Sequence, residues 1–323
     1  MKIAIITEGI PGTGYGHLTR CLSIYQAFEE KGIAPLYIAN YDEDAKKFIP
    51  GVNLLQLDWL KKPDELLNTI KHFDIAVIDS YLAPIEIYQS IYKNVKKAVY
   101  LDDYIRLNYP PGIIVNGTIG AENLPYKKDA DHQYILGVQY IPLRKEFWDV
   151  EVPERKNREV KNILITFGAQ DSRNLTPKVL ESLLNEFPVY NYHVVTSNNN
   201  IIKRDNIKIY SSLNAGEMLK LMLDSDLAVT AAGQTTYELA RTGVPFVAVG
   251  VTENQKFNLK GWDENNIVFN EIWYDDKNLF HKISEQSKKI ISNHSFITER
   301  ICDGQGVRRI SNKLLNENFI LNK

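Results

Sequence analysis

The chain reads as an α/β protein built from two parallel-sheet halves, and three observations carry that reading. Short apolar runs alternate with stretches of helical spacing over most of its length. The alternation pauses at a charged, proline-bearing segment at 141–160 and then starts again. At 323 residues the chain is also about twice the usual size of one domain.

The first element is a buried parallel strand, Ile3-Ala4-Ile5-Ile6, which stops at glycine-rich sequence. A helix is expected over 17–31, with Leu18, Cys21, Leu22, Ile24, Tyr25 and Phe28 on its apolar face and Gly32 as its stop. Strands follow at 35–39, 75–78, 98–101 and 113–115, with helical stretches at 63–72 and 84–93 between them. Pro142, Pro153 and the run Glu154-Arg155-Lys156-Asn157-Arg158-Glu159 mark a linker. The second series has strands at 163–166, 192–195, 207–210, 227–230 and 246–249. Its helices are expected at 174–185, 215–223 and 235–241, and the chain reads as helical after 275. The domains are therefore placed at 1–150 and 151–323. Two Rossmann-like halves joined in this way predict a ligand cleft between them.

Composition narrows the class. Hydrophobic residues at 44% and charged residues at 24% are ordinary for a globular protein that needs no staples. The 38 basic and 40 acidic residues leave a net charge of −2, which argues against a nucleic-acid binder. Cys21 and Cys302 are too few for a disulfide framework or a multi-cysteine zinc site, so reduced thiols are expected. The other histidines, His72, His132, His193, His281 and His294, show no metal spacing, and no metal or cofactor is expected. No signal peptide or long apolar window is seen, so a cytoplasmic protein without membrane insertion is expected, with a monomer as the default.

The segment Gly9-Ile10-Pro11-Gly12-Thr13-Gly14-Tyr15-Gly16-His17 joins the first strand to the first helix. It is a tight turn or a ligand loop; glycines suit both. A dinucleotide fingerprint fits poorly, because its third glycine would fall on His17. No lysine of a phosphate-binding Walker loop is present. A lone histidine is more often structural, but this one stands at a strand end where a helix begins. The helix dipole there favours a neutral imidazole able to take a proton from water. Thr230 to Thr236 likewise follow a strand and open a helix, a place where amides and hydroxyls hold a diphosphate.

Gly14-Tyr15-Gly16-His17-Leu18-x-Arg20 resembles the G-[TYF]-G-H-x-x-R signature of the PseG/SpsG family. The resemblance recurs at Ile78-Asp79-Ser80-Tyr81, at Leu101-Asp102-Asp103, at Val115-Asn116 and from Leu136 to Phe147. It continues at Gly168-Ala169-Gln170-Asp171-x-x-Asn174-Leu175, at Ala232-Gly233-Gln234-Thr235-Thr236-Tyr237-Glu238, at Glu253-Asn254-Gln255 and at Asp303-Gly304-Gln305-Gly306. It implies a GT-B-like fold, two Rossmann-like domains with parallel sheets facing a central cleft, related to glycosyltransferases such as MurG. The last helix would cross back to the first domain.

The implied activity is hydrolysis of a UDP-linked diacetamido-trideoxy sugar by water attack at the anomeric carbon, with inversion, in pseudaminic acid or related polysaccharide biosynthesis. A glycosyltransferase using the same UDP-sugar is the alternative. The resemblance makes His17 the base and Tyr81 its water- or sugar-contacting partner. Substrate contacts fall on Gly14, Tyr15, Gly16, Arg20 and Asp103 in the first domain. In the second they fall on Gly168, Gln170, Asp171, Leu213, Gly233, Gln234, Thr235, Thr236, Glu238, Asn254 and Gln255, with Glu238 at the ribose and the loop of Leu213 at the uracil. Asp79 is read as a cap for the helix after it, and Asp102 with Asp103 as a turn or sugar contact. Two departures stand out: the first strand ends Ile5-Ile6-Thr7-Glu8 without the frequent arginine, and Glu8 adds a carboxylate beside the glycine loop.

Overall fold

Runs such as Ile3-Ala4-Ile5-Ile6 are apolar on both faces, so they gain most as central strands of a sheet covered on both sides by helices. The computed structural model describes residues 1–10, 14–127, 130–155, 159–168, 171–292 and 301–316. They form two compact units, Met1–Lys145 with Gln305–Lys323, and Glu146–Gly304.

The first unit runs β1 (Ile3–Gly9), α1 (Gly16–Glu29), β2 (Leu36–Tyr41), β3 (Leu54–Gln56), α2 (Pro63–Ile70), β4 (Ile75–Asp79), α3 (Ile85–Asn94), β5 (Lys97–Leu101), β6 (Gly112–Asn116) and β7 (His132–Leu136). Its seven strands are parallel, in the order β3-β2-β1-β4-β5-β6-β7. Gly32, at φ +72°, turns the chain after α1. Pro63 at the first position of α2, with Asp64 and Glu65 in its first turn, suits a helix start. Trp59, Tyr88, Tyr100 and Ile78 are among the side chains of a core cluster on this sheet.

The second unit runs β8 (Asn162–Thr166), α4 (Leu175–Glu186), β9 (Asn191–Val195), β10 (Ile207–Tyr210), α5 (Ala215–Asp224), β11 (Leu227–Ala231), α6 (Thr235–Arg241), β12 (Phe246–Gly250), α7 (Lys256–Glu264), β13 (Ile272–Trp273) and α8 (Leu279–Ser292). Its six parallel strands are ordered β10-β9-β8-β11-β12-β13. Asn214 and Glu217 form a reciprocal capping box at the start of α5.

The final described helix, α9 (Gly306–Leu315), belongs to the first unit and packs on α1. Arg308 pairs with Glu30 at 2.8 Å, and Lys31 Nζ donates to Asn312 Oδ1 at 2.6 Å. Gly306 lies so close to the chain at Ile141 that a Cβ would sit 2.1 Å from the Ile141 carbonyl oxygen.

The sequence pattern missed β3, β7 and β13. Each is the outermost strand at one edge of its sheet. None carries the continuous buried run that marks a central strand.

Candidate active site

Strand β1 lies between β2 and β4, so the chain leaves the sheet in opposite directions on its two sides. Such a switch point opens a crevice at the carboxyl ends of the strands. Here those ends carry Glu8 on β1, Asp79, Ser80 and Tyr81 at β4, and Asp102 and Asp103 after β5. Pairing of Thr7 with Asp79 sets the end of β4 beside the end of β1. A Cβ on Gly9 would lie 2.2 Å from Leu18 Cδ1, so glycine is what lets α1 approach the strand end. Of the glycine loop, Pro11, Gly12 and Thr13 lie outside the described residues. Gly14 has φ +72°, and Gly16 opens α1. Tyr15 stacks on Phe48 with centroids 4.8 Å apart.

His17, in the first turn of α1, is buried with its Nδ1 3.1 Å from Asp79 Oδ1. Its Nε2 is buried and has no hydrogen-bond partner among the described residues. Burial alone would lower the imidazole pKa; the charge and hydrogen bond of Asp79 outweigh it, and the net displacement is upward. The contact with the Asp79 carboxylate thus opposes the pull of the helix dipole toward a neutral ring.

Asp79 is fully buried, yet its carboxyl is held well below the usual carboxylate range. Burial pushes it up; Arg20 and then His17 pull it down further. Arg20 grips Asp79 with Nε and Nη2 at 2.5 and 2.6 Å, and its Nη1 reaches both oxygens of Asp103 at 2.7 and 3.0 Å. The Cys21 thiol donates to Asp79 at 3.7 Å. Asp79 is thus no helix cap, because all of these donors belong to α1. Arg20, expected among the substrate contacts, braces two carboxylates of the protein with a planar fork.

The Tyr81 ring meets His17 edge to face, with centroids 4.1 Å apart. Its hydroxyl donates to Asp103. Burial, and next the charge of Asp103, push its pKa well up, so it stays a phenol. The neighbouring carboxylate, Asp102, faces away and builds the turn. It accepts from the amides of Asp103, Tyr104, Ile105 and Arg106 and from the Tyr126 hydroxyl at 2.7 Å. Among the described residues no group of three His, Cys, Asp or Glu could hold a metal ion.

The described predicted residues of the second unit follow β8, β10, β11 and β12. Gly168, at φ +82°, follows β8; Gln170 lies outside the described residues. Asp171, predicted among the substrate contacts, accepts amides with both of its oxygens at the start of α4, from Leu175 and Thr176 at 2.9 Å. Gly233, Gln234 and Thr235 form the half-buried turn into α6. Thr236 is the next predicted residue. It is buried, and its hydroxyl donates to the Gly233 carbonyl at 2.7 Å and accepts from Trp262 Nε1 at 3.1 Å, so it faces the core. Glu238 is buried one turn into α6. Gln255 Oε1 accepts the Val251 amide at 2.9 Å, and Asn254 Oδ1 accepts from Thr252 at 2.6 Å. Leu213 precedes the capping Asn214 and is half-buried.

Sequence reasoning missed two members of the first cluster. Asp79 was visible only as part of a motif; Glu8 was visible as a carboxylate ending an apolar strand, a placement that is expensive unless it is used.

No family model matches the chain. It is 34% identical over 279 residues to an uncharacterized protein of Methanocaldococcus jannaschii, covering 79% of this chain and 57% of that one. It is 26% identical over 267 residues to the pseudaminic acid cytidylyltransferase and UDP-2,4-diacetamido-2,4,6-trideoxy-β-L-altropyranose hydrolase of Helicobacter pylori, covering 81% of this chain and 47% of that one. The chain therefore spans about half the length of these two relatives. The spore coat polysaccharide biosynthesis protein SpsG of Bacillus subtilis is 22% identical over 276 residues, 80% of each chain. Among solved structures, the spinosyn rhamnosyltransferase SpnG superposes with a TM-score of 0.69 at 11% identity, over 98% of this chain and 100% of that one. MurG of Acinetobacter baumannii does so with a TM-score of 0.64 at 13% identity, over 97% and 99%. By its motifs and these relatives the chain is similar to the PseG/SpsG family, and its two parallel-sheet α/β domains have the GT-B fold.

Proposed function

We propose that the protein hydrolyses a UDP-linked acetamido sugar, releasing UDP and the free sugar, in the making of pseudaminic acid or a related surface polysaccharide. The observation that carries this is the buried His17, with Nδ1 3.1 Å from the Asp79 carboxylate and Nε2 without a hydrogen-bond partner among the described residues. Similarity to a protein named for a UDP-diacetamido-sugar hydrolase supports the choice of substrate.

In this mechanism a water molecule gives its proton to Nε2 of His17 as its oxygen bonds to the anomeric carbon. The bond from that carbon to the UDP oxygen breaks, its electron pair leaves with UDP, and the sugar emerges inverted. Asp79 stabilises the imidazolium that forms and fixes the ring through Nδ1. UDP is a good leaving group, so activation of water matters more than protonation of the departing oxygen. Tyr81, held as a phenol against the imidazole, orders the water. The turn at Gly233, Gln234 and Thr235 takes the diphosphate, Glu238 the ribose, and Asn254 and Gln255 a phosphate or the sugar.

Incubation with UDP-2,4-diacetamido-2,4,6-trideoxy-β-L-altropyranose in heavy-oxygen water, with no acceptor, tests the mechanism. Label in the sugar is expected; label in UDP would mean attack at phosphorus and end it. The GT-B neighbours named as glycosyltransferases favour transfer to an acceptor as the second reading. Turnover that starts only when an acceptor is added would select it.

A further inference from the structure

Glu8 is fully buried at the end of β1, and the mechanism above does not use it. Its two oxygens have different surroundings. Oε1 accepts from the Ser80 hydroxyl at 2.8 Å and from the Tyr81 amide at 3.2 Å. The direction of the first bond is certain from Ser80 itself. That hydroxyl already accepts the amides of Leu82 and Ala83 at 3.1 and 2.9 Å, so its lone pairs are engaged and its proton goes to Glu8. With Oε1 facing two donors, a proton on this carboxyl has to sit on Oε2. Oε2 is buried and has no partner among the described residues.

A buried polar atom without a partner is costly, and buried polar groups in folded proteins are almost always bonded. Oε1 holds the amide of Tyr81, whose ring meets His17, and the charge of His17 acts on the Glu8 carboxyl. The strongest neutral acceptor on the glycosyl half of a diacetamido sugar is an acetamido carbonyl oxygen. We propose that Glu8 is a specificity-determining residue, a neutral carboxylic acid whose Oε2–H donates to an acetamido carbonyl of the bound sugar. Burial, the leading influence, raises the Glu8 pKa against the opposing pull of His17 and Ser80. The proposal rests on the reading that the site takes a UDP-linked acetamido sugar.

Calorimetric binding in a His17→Ala background, where substrate is not consumed, separates the two ideas. The probes are UDP, UDP-glucose and UDP-2,4-diacetamido-2,4,6-trideoxy-β-L-altropyranose, with Glu, Gln or Met at position 8. Gln keeps a carbonyl for Ser80 and Tyr81 and places an N–H where Oε2–H stood. The acetamido ligand is expected to bind more tightly than UDP-glucose with Glu or Gln. Met is expected to weaken that preference by about 3–10-fold, the worth of one neutral hydrogen bond, and to leave UDP affinity unchanged. Preference retained in Glu8→Met overturns the proposal, as does preference lost in Glu8→Gln. If the Glu8 protein itself shows no preference, the substrate reading fails and this one with it. A second measurement does not depend on how the Met variant folds. The infrared carboxylic-acid C=O band that disappears in Glu8→Gln should shift when the acetamido ligand binds and stay in place with UDP; no shift with either ligand overturns the contact.

Discussion

The imidazole of His17 is set by two opposed influences, burial and Asp79, and Asp79 prevails. A base must be deprotonated to work, so kcat/KM should rise with pH through a midpoint above the ordinary imidazole value. Asp79→Asn removes the main attraction and leaves burial and Arg20, which favour the neutral ring, against the smaller pull of Glu8. Its acid limb should therefore move to lower pH, while kcat falls on the order of 10²–10⁴-fold for want of a counter-charge to the imidazolium. An acid limb that does not move would remove Asp79 as the partner. His17→Ala should abolish turnover while UDP affinity, read by calorimetry, stays within about twofold of wild type, because one lost contact at the sugar side is worth little to the nucleotide. Arg20→Met should destabilise the fold by about 3–5 kcal/mol in denaturant titration, since it strands the buried Asp79 charge. His17, Tyr81 and Asp103 were legible as residues because each belongs to a motif with chemistry of its own. The role of Asp79 was not, because its partner Arg20 lies 59 positions away and only the pairing of β1 with β4 brings them together.

At the level of elements, the central strands declared themselves by apolar runs, and the missed ones were at sheet edges. His132-Gln133-Tyr134-Ile135-Leu136 is mostly half-buried and reads as irregular sequence, although it pairs along its whole length with β6. The edge strand β10 was still legible through its alternation of isoleucine with polar residues. Glycines show how far an element depends on its neighbours. Gly306→Ala would drive a Cβ into the backbone of Ile141 and should cost about 1–3 kcal/mol. Gly216→Ala, in the first turn of α5, meets nothing closer than 3.5 Å and should stabilise by up to about 1 kcal/mol. Urea midpoints of the two variants should therefore move in opposite directions; a shift the same way in both would refute the packing argument at Ile141.

Across the whole molecule, α9 completes the first unit although it comes after the second in the chain. Val307, Ile310 and Leu314 are its buried apolar side chains. A chain ending at Gly304 should lose on the order of 5 kcal/mol from the first unit through their exposure, an upper estimate from area transfer. Amide exchange in α1 should accelerate accordingly, and unchanged protection there would show that α9 contributes little. Two sheets, their helices and the families of residues at their strand ends followed from patterns within a few residues, because strand and helix periods are local and a glycine turn after an apolar run is too. The use of each side chain did not. Asp79 beneath His17, the Ser80 proton on Glu8 and the Thr236 hydroxyl turned into the core are hydrogen-bond choices settled at ångström scale between segments distant in the chain. Those choices exist only once the strands have paired, and no local pattern carries them.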